Sequence, residues 1–193
     1  MEQDGWWRFD TGPWAALWNV APDGWSAMPG HGHQDLGGFE VHFNGVAVFR
    51  DPGRGAYGDD GEAAEFVSAR AHNALMIDDA EPYPPNKPYY DAAFRRGIDG
   101  APPTMLRNAD GFTLTHRGFS RIKGVGAATR VWRFDADAMV VTDHIEGAGK
   151  HRVVRRLHTT LRVERAPGGA MIESAGRRFL LTCDGAVTIE KSK

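Results

Sequence analysis

Two imidazoles stand two residues apart in Gly30-His31-Gly32-His33-Gln34-Asp35, a carboxylate opens Asp51-Pro52-Gly53, and a third imidazole follows at His72-Asn73. In an extended segment, side chains two apart point to the same side, so His31 and His33 can address one site together. Two imidazoles and a carboxylate are the donors Zn²⁺ prefers, with one position left for water or substrate. Calcium, or no metal at all, stays open as an alternative. Gln34 and Asp35 have the chemistry to orient a ligating histidine from behind. The same residues also have plainer readings. His31 and His33 sit in a Gly-rich turn where side chains are commonly solvated. Asp51-Pro52-Gly53 is a good turn sequence in any protein. His72 reads equally well as a core histidine donating to a carbonyl.

For these residues to meet, the chain between them must run out and return. Phe39-Glu40-Val41-His42-Phe43 alternates, Asn44-Gly45 follows, and Val46-Ala47-Val48-Phe49 continues. Two strands around Asn-Gly make a strong hairpin signal, and the return strand carries Asp51 back toward His33. Further strands are expected at 14–20, 74–77, 112–116, 129–134, 138–144, 151–157, 170–173, 179–183 and 186–190. One or two helical turns are expected at 60–66. The Pro-rich stretch 81–88, with Tyr83, Tyr89 and Tyr90 around it, reads as a long extended loop. Short strands with Gly turns and little helix predict an all-β fold, a sandwich or barrel.

The length of 193 residues fits one domain over 1–193, and 41% hydrophobic residues supply a core for it. A formal net charge of -2 carries no basic surplus of the kind nucleic-acid binders show. A polyanionic substrate would have to be met by a local patch. The single cysteine, Cys183, rules out an intramolecular disulfide and reads as a buried, inert thiol in a strand. No stretch is long and apolar enough to span a membrane as a helix. Met1-Glu2-Gln3-Asp4-Gly5 lacks the basic and apolar regions of a signal peptide. Localisation stays open: cytoplasmic, or periplasmic or secreted if the chain is part of a longer one.

The order Gly30-His31-Gly32-His33-Gln34-Asp35, Asp51-Pro52-Gly53, Ala71-His72-Asn73, at this spacing, resembles the heparinase II/III family of polysaccharide lyases. Trp6-Trp7-Arg8-Phe9-Asp10-Thr11-Gly12 resembles the strand that opens that family's C-terminal region. His116-Arg117, Val140-Val141-Thr142-Asp143 and Leu157-His158 resemble its later strands. The resemblance implies an antiparallel, supersandwich-like β-sandwich. It also implies β-elimination on acidic polysaccharides that contain uronic acid. By that resemblance, His31 is the catalytic histidine at the reacting uronate, and His33, Asp51 and His72 hold Zn²⁺. A doubly charged cation nearby would keep His31 neutral, the form a base needs. Tyr57 and Arg54, in the loop after Asp51-Pro52-Gly53, are candidate substrate-binding residues.

The family's α/α-toroid domain, which supplies the rest of the catalytic set, has no counterpart in this sequence. It is expected as a partner, on the same or a companion chain, and weak or absent activity is expected without it. Competing readings are a non-catalytic carbohydrate-binding module and a structural sandwich. Trp6, Trp7, Trp14, Trp18 and Trp25 are read as core or domain interface. His116, His144 and His151 are read as structural.

Overall fold

The computed structural model describes residues 4–58, 60–98, 102–174 and 176–191. Two four-stranded antiparallel sheets face each other. The first is β1 (Trp6–Thr11), β2 (Trp14–Asn19), β3 (Phe39–Phe43) and β4 (Val46–Phe49), in that order. Strict alternation in β2 buries Trp14, Ala16 and Trp18 while Ala15, Leu17 and Asn19 stay partly exposed. The β3–β4 hairpin turns at Asn44-Gly45, whose φ values of 48° and 79° are the left-handed pair such a turn needs.

After β4 and before the second four-stranded sheet the chain forms α1 (Gly61–Val67), β5 (Leu75–Ile77) and α2 (Ala92–Ile98). The second four-stranded sheet is β6 (Thr104–Asn108), β7 (Gly111–His116), β8 (Val125–Phe134) and β9 (Met139–Gly147). Aromatic rings fill the space between the two sheets. Trp18 meets Phe112 at 4.9 Å and Trp132 at 5.5 Å, Phe39 meets Trp132 at 5.9 Å, and Phe9 stacks on Phe134 at 5.3 Å. Most are edge-to-face, the arrangement ring quadrupoles favour. The fold is thus an antiparallel β-sandwich, as the alternation and turns predict. β10 (Val153–Arg155) pairs with β5, and β11 (Arg162–Ala166), β12 (Gly169–Ser174) and β13 (Arg177–Thr182) form a further antiparallel sheet. Among the described residues no helix is long and apolar enough to cross a membrane.

Three expectations need correction. Residues 186–190 form no strand; the Val187 carbonyl is taken by the Arg165 guanidinium and Glu190 by Arg156, so side chains hold the segment in place of a ladder. Cys183 lies just past the end of β13 and is exposed, not buried. The short α2 is absent from the sequence reading, although Asp91 caps it by accepting from the Phe94 N–H at 2.7 Å, and Phe94 is fully buried.

Arg130 points inward from β8, a costly place for a cation without a partner. Asp143 on β9 supplies one, with contacts of 2.6 and 3.2 Å, and Arg155 adds a third at 2.7 Å. Burial alone would raise the Asp143 pKa, but the two arginines outweigh it and hold the carboxyl below its usual range. His116, 6% exposed on β7, faces the same cluster and accepts the Gly118 N–H at Nδ1. Burial first, then the Arg130 charge, pushes its pKa down to about 4.

A histidine whose folded pKa lies below its unfolded one stabilises the fold at neutral pH. That stability is lost as pH falls from about 6.5 to about 4, because the unfolded chain takes the proton first. The full window corresponds to roughly 3 kcal/mol at about 1.4 kcal/mol per unit. Urea denaturation at pH 7.5 and 4.5 should show the wild-type chain losing stability more steeply than His116→Gln. Equal losses in the two proteins would assign the acid sensitivity to other groups.

Candidate functional site

The three sequence-predicted metal ligands come from three loops that the first sheet and α1 bring together. His33 lies between β2 and β3, Asp51 follows β4, and His72 ends a 3₁₀ turn at Ala69–Ala71. The first loop is stitched in place by Gln34. Its buried side chain donates to the Tyr83 carbonyl at 2.9 Å and accepts from the Tyr83 N–H at 3.1 Å, while its own backbone N–H bonds Val67 at 2.8 Å. Gln34 therefore anchors the Pro-Tyr loop; it does not orient a histidine.

His72 is fully buried and bonded at both ring nitrogens. Nδ1 meets Asp51 Oδ1 at 2.8 Å, and Nε2 meets the Phe66 carbonyl, in α1, at 3.0 Å. Desolvation would lower its pKa, but the Asp51 hydrogen bond and charge, with Asp35 and the Phe66 carbonyl, raise it. Asp51 also accepts from the backbone N–H of Gly53 at 2.9 Å and of Asn73 at 3.3 Å. Against the opposing effect of desolvation, the His72 bond and charge and these two N–H groups keep its carboxyl below the usual range.

The His33 ring stacks on His72 at 4.6 Å with 24° between planes. Its Nδ1 is buried without a hydrogen-bond partner, and Asp35 Oδ2 lies 3.4 Å away. Desolvation, followed by the charge of His72, lowers its pKa to about 4, so the ring is neutral. Desolvation also raises Asp35 to about 7.

The donor types and the orphaned His33 nitrogen suit a cation. The arrangement as it stands is a hydrogen-bonded Asp51–His72 pair under a stacked His33. Among the described residues no three His, Cys, Asp or Glu side chains converge as a ligand set. The Phe66 carbonyl is the kind of outer partner that a metal-bound histidine needs on its other nitrogen.

Pro29–His31 is a 3₁₀ turn, not an extended segment, so two-residue alternation does not govern His31, yet His31 and His33 line the same groove. The His31 ring is exposed and lies 5.3 Å from that of Tyr57. The Arg54 guanidinium sits over the Tyr57 ring, 5.3 Å from its centroid, and donates to the carbonyls of Gly32, Ala56 and Gly58. A groove of about 630 Å³ passes His31, His33 and Asp51. Among the described residues its walls carry Asp4, Asp23, Asp35, Glu40 and Asp51 and neither Lys nor Arg, so among them the basic patch expected for a polyanion is not in this groove.

Residues 1–193 match the family model described as heparinase II/III-like, C-terminal. The chain belongs to this family. Among solved structures, this heparinase II/III-like C-terminal domain is similar to a crystal structure of heparinase III, with 19% identity and a TM-score of 0.62, over 90% of this chain and 27% of that one. A second heparinase III, determined with methylated lysines, gives 19% identity and a TM-score of 0.58 over 89% of this chain and 26% of that one. At that identity the likeness speaks for the sandwich fold. The domain spans about a quarter of the length of these structures. No curated protein matches it.

Asn73 is the residue that sequence reasoning passed over, noted only as the neighbour of His72. It is fully buried. Its amide donates to the Phe39 carbonyl at 2.7 Å, its side-chain oxygen accepts the His158 N–H at 2.5 Å, and its backbone carbonyl meets Arg130 at 3.5 Å. A buried polar residue between an apolar strand and a candidate ligand was the available signal. Asn73→Ala orphans two buried backbone groups, at about 1–3 kcal/mol each. Chemical denaturation should report a loss of about 3 kcal/mol; a loss below about 1 kcal/mol would mean the two groups find other partners.

Proposed function

We propose that this chain is the metal-binding β-sandwich part of a polysaccharide lyase that acts by β-elimination on polymers containing uronic acid. The observation that carries the reading is the His33–His72 stack beside Asp51, with a buried His33 nitrogen lacking a partner, in a groove that opens past His31. His33, Asp51 and His72 would hold Zn²⁺, with Ca²⁺ the other candidate. Binding would require His72 Nδ1 to exchange its contact with Asp51 for the ion and to keep Nε2–H on the Phe66 carbonyl. The ion's chemistry is electrostatic: it orders the loops and, being close, disfavours a second positive charge on His31.

In the reaction, the C5–H bond of the uronate breaks and its proton passes to a base. The electron pair forms the C4=C5 double bond, the C4–O4 bond breaks, and O4 leaves with a proton from an acid. In this reading His31 serves at the reacting uronate as base or hydrogen-bonding partner, roles that use the neutral imidazole. Tyr57, with 69% of its surface exposed, is the member of the Arg54–Tyr57 pair that meets the sugar. The remaining acid–base groups and most of the cleft are assigned to an α/α-toroid domain on the same or a companion chain. The acidic groove fits that division, since positive charge for a polyanion would come from the ion and the other domain. Alone, the sandwich is weakly active or inactive, because most rate enhancement comes from groups held together in one geometry.

A second reading, a non-catalytic carbohydrate-binding or structural module, is favoured by the His72 ring, whose two nitrogens are both satisfied within the protein. Metal analysis by mass spectrometry separates the two. Stoichiometric zinc in the purified chain, lost in the His33→Ala/His72→Ala variant, is expected for the lyase site. No metal in either protein, with both folded by circular dichroism, would shift the reading to the non-catalytic module.

A further inference from the structure

Arg54 is placed to do something other than meet a ligand. Its guanidinium donates to the Gly32 carbonyl at 2.8 Å, the Ala56 carbonyl at 3.2 Å and the Gly58 carbonyl at 3.4 Å. Among the described residues no carboxylate pairs with it. Gly32 is the residue between His31 and His33, and it lies so flat on Trp25 that a Cβ there would come within 2.4 Å of the indole. On the other side, Gly55 packs on the Phe66 ring, where a Cβ would come within 2.7 Å. The loop after Asp51 is therefore seated on α1, and Arg54 is the hydrogen-bonded tie from that loop to the His31–His33 segment.

The same guanidinium stacks on the Tyr57 ring, and the Tyr57 ring in turn lies against His31. A phenol ring at a largely exposed position has little else to fix it. The Arg54 cation and the His31 imidazole, each 5.3 Å from its centroid, supply that restraint. His31 itself sits at the end of a three-residue 3₁₀ turn, an element with few restraints of its own.

We propose that Arg54 is a positioning residue. Its planar fork ties Gly32 to the 54–58 loop and seats Tyr57 against His31, so the orientation of the His31 ring is set from the loop that follows Asp51. The importance of that orientation for elimination rests on the role given to His31 above; the orientation itself does not. Arg and Lys differ here, because one ammonium on a flexible stem cannot span three carbonyls and present a flat face to a ring.

The test is NMR of the whole chain with labelled histidine, following the His31 Cε1–Hε1 resonance, assigned by its disappearance in His31→Gln. No metal or substrate is added, so the result is independent of whether the chain is a lyase. Tyr57→Leu, at an exposed position, should move the resonance by removing the neighbouring ring current. Arg54→Gln and Arg54→Lys should each move it the same way, toward the Tyr57→Leu position, while the His116 resonance in the core stays put as the control for folding. If Arg54→Gln is poorly folded, Arg54→Lys alone carries the comparison. A His31 resonance unmoved by Tyr57→Leu, or unmoved in the folded Arg54 variants, would overturn the proposal.

Discussion

The carboxamide of Asn73 joins parts of the molecule that lie far apart in the chain. Backbone groups removed from water must find partners, and loops have no ladder to provide them. Asn73 supplies both a donor and an acceptor at the point where β3, the 3₁₀ turn before His72 and the segment around His158 meet. Its backbone N–H then fixes the second oxygen of Asp51, so the carboxylate faces His72. The same device recurs around the site. Gln34 pairs with the Tyr83 backbone, Arg54 gathers three carbonyls, and Glu81 accepts from Ser68 Oγ at 2.5 Å and the Ala69 N–H at 3.0 Å. The site is a set of loops whose backbone is satisfied by long polar side chains, and the aromatic sandwich is the floor beneath it.

Those side chains explain what could be read in the sequence and what could not. The apolar run of β2, the alternation in β3 and the Asn44-Gly45 turn carry their structure locally, and each is found where the pattern predicts. His33, Asp51 and His72 were legible as a group because donor type and order survive in one dimension, and the hairpin does return Asp51 to His72. The 3₁₀ backbone at His31 was not legible, since a 3₁₀ turn and an extended run differ by a few backbone angles that Gly-rich sequence leaves open. The work of Gln34 and Asn73 was hidden for another reason: their partners are backbone groups 49, 34 and 85 residues away. Arg130 likewise looks like a surface residue until Asp143 is seen opposite it on the buried side of β9.

Charge divides the molecule in a way that composition conceals. A net charge of -2 suggests near balance, yet among the described residues the groove by the candidate site carries five acidic side chains and no Lys or Arg. Several arginines are occupied elsewhere: Arg130 and Arg155 on Asp143, Arg121 on the carbonyls of Glu81, Pro82 and Gly118, and Arg54 on its three carbonyls. Here arginine acts mainly as a structural donor.

The two bonds of the Asn73 side chain also bear on the order in which the molecule folds. One closes 34 residues and the other 85. Each closure costs chain entropy before any contact repays it, and contacts of long sequence separation form slowly. The hairpins of both four-stranded sheets close far shorter loops and have no need to wait for them. The bond between Asp51 and His72 closes only 21 residues and does not depend on either of those closures. A chain still emerging from the ribosome therefore carries His33, Asp51, His72 and Asn73 well before the His158 segment that completes the bonds of the Asn73 side chain.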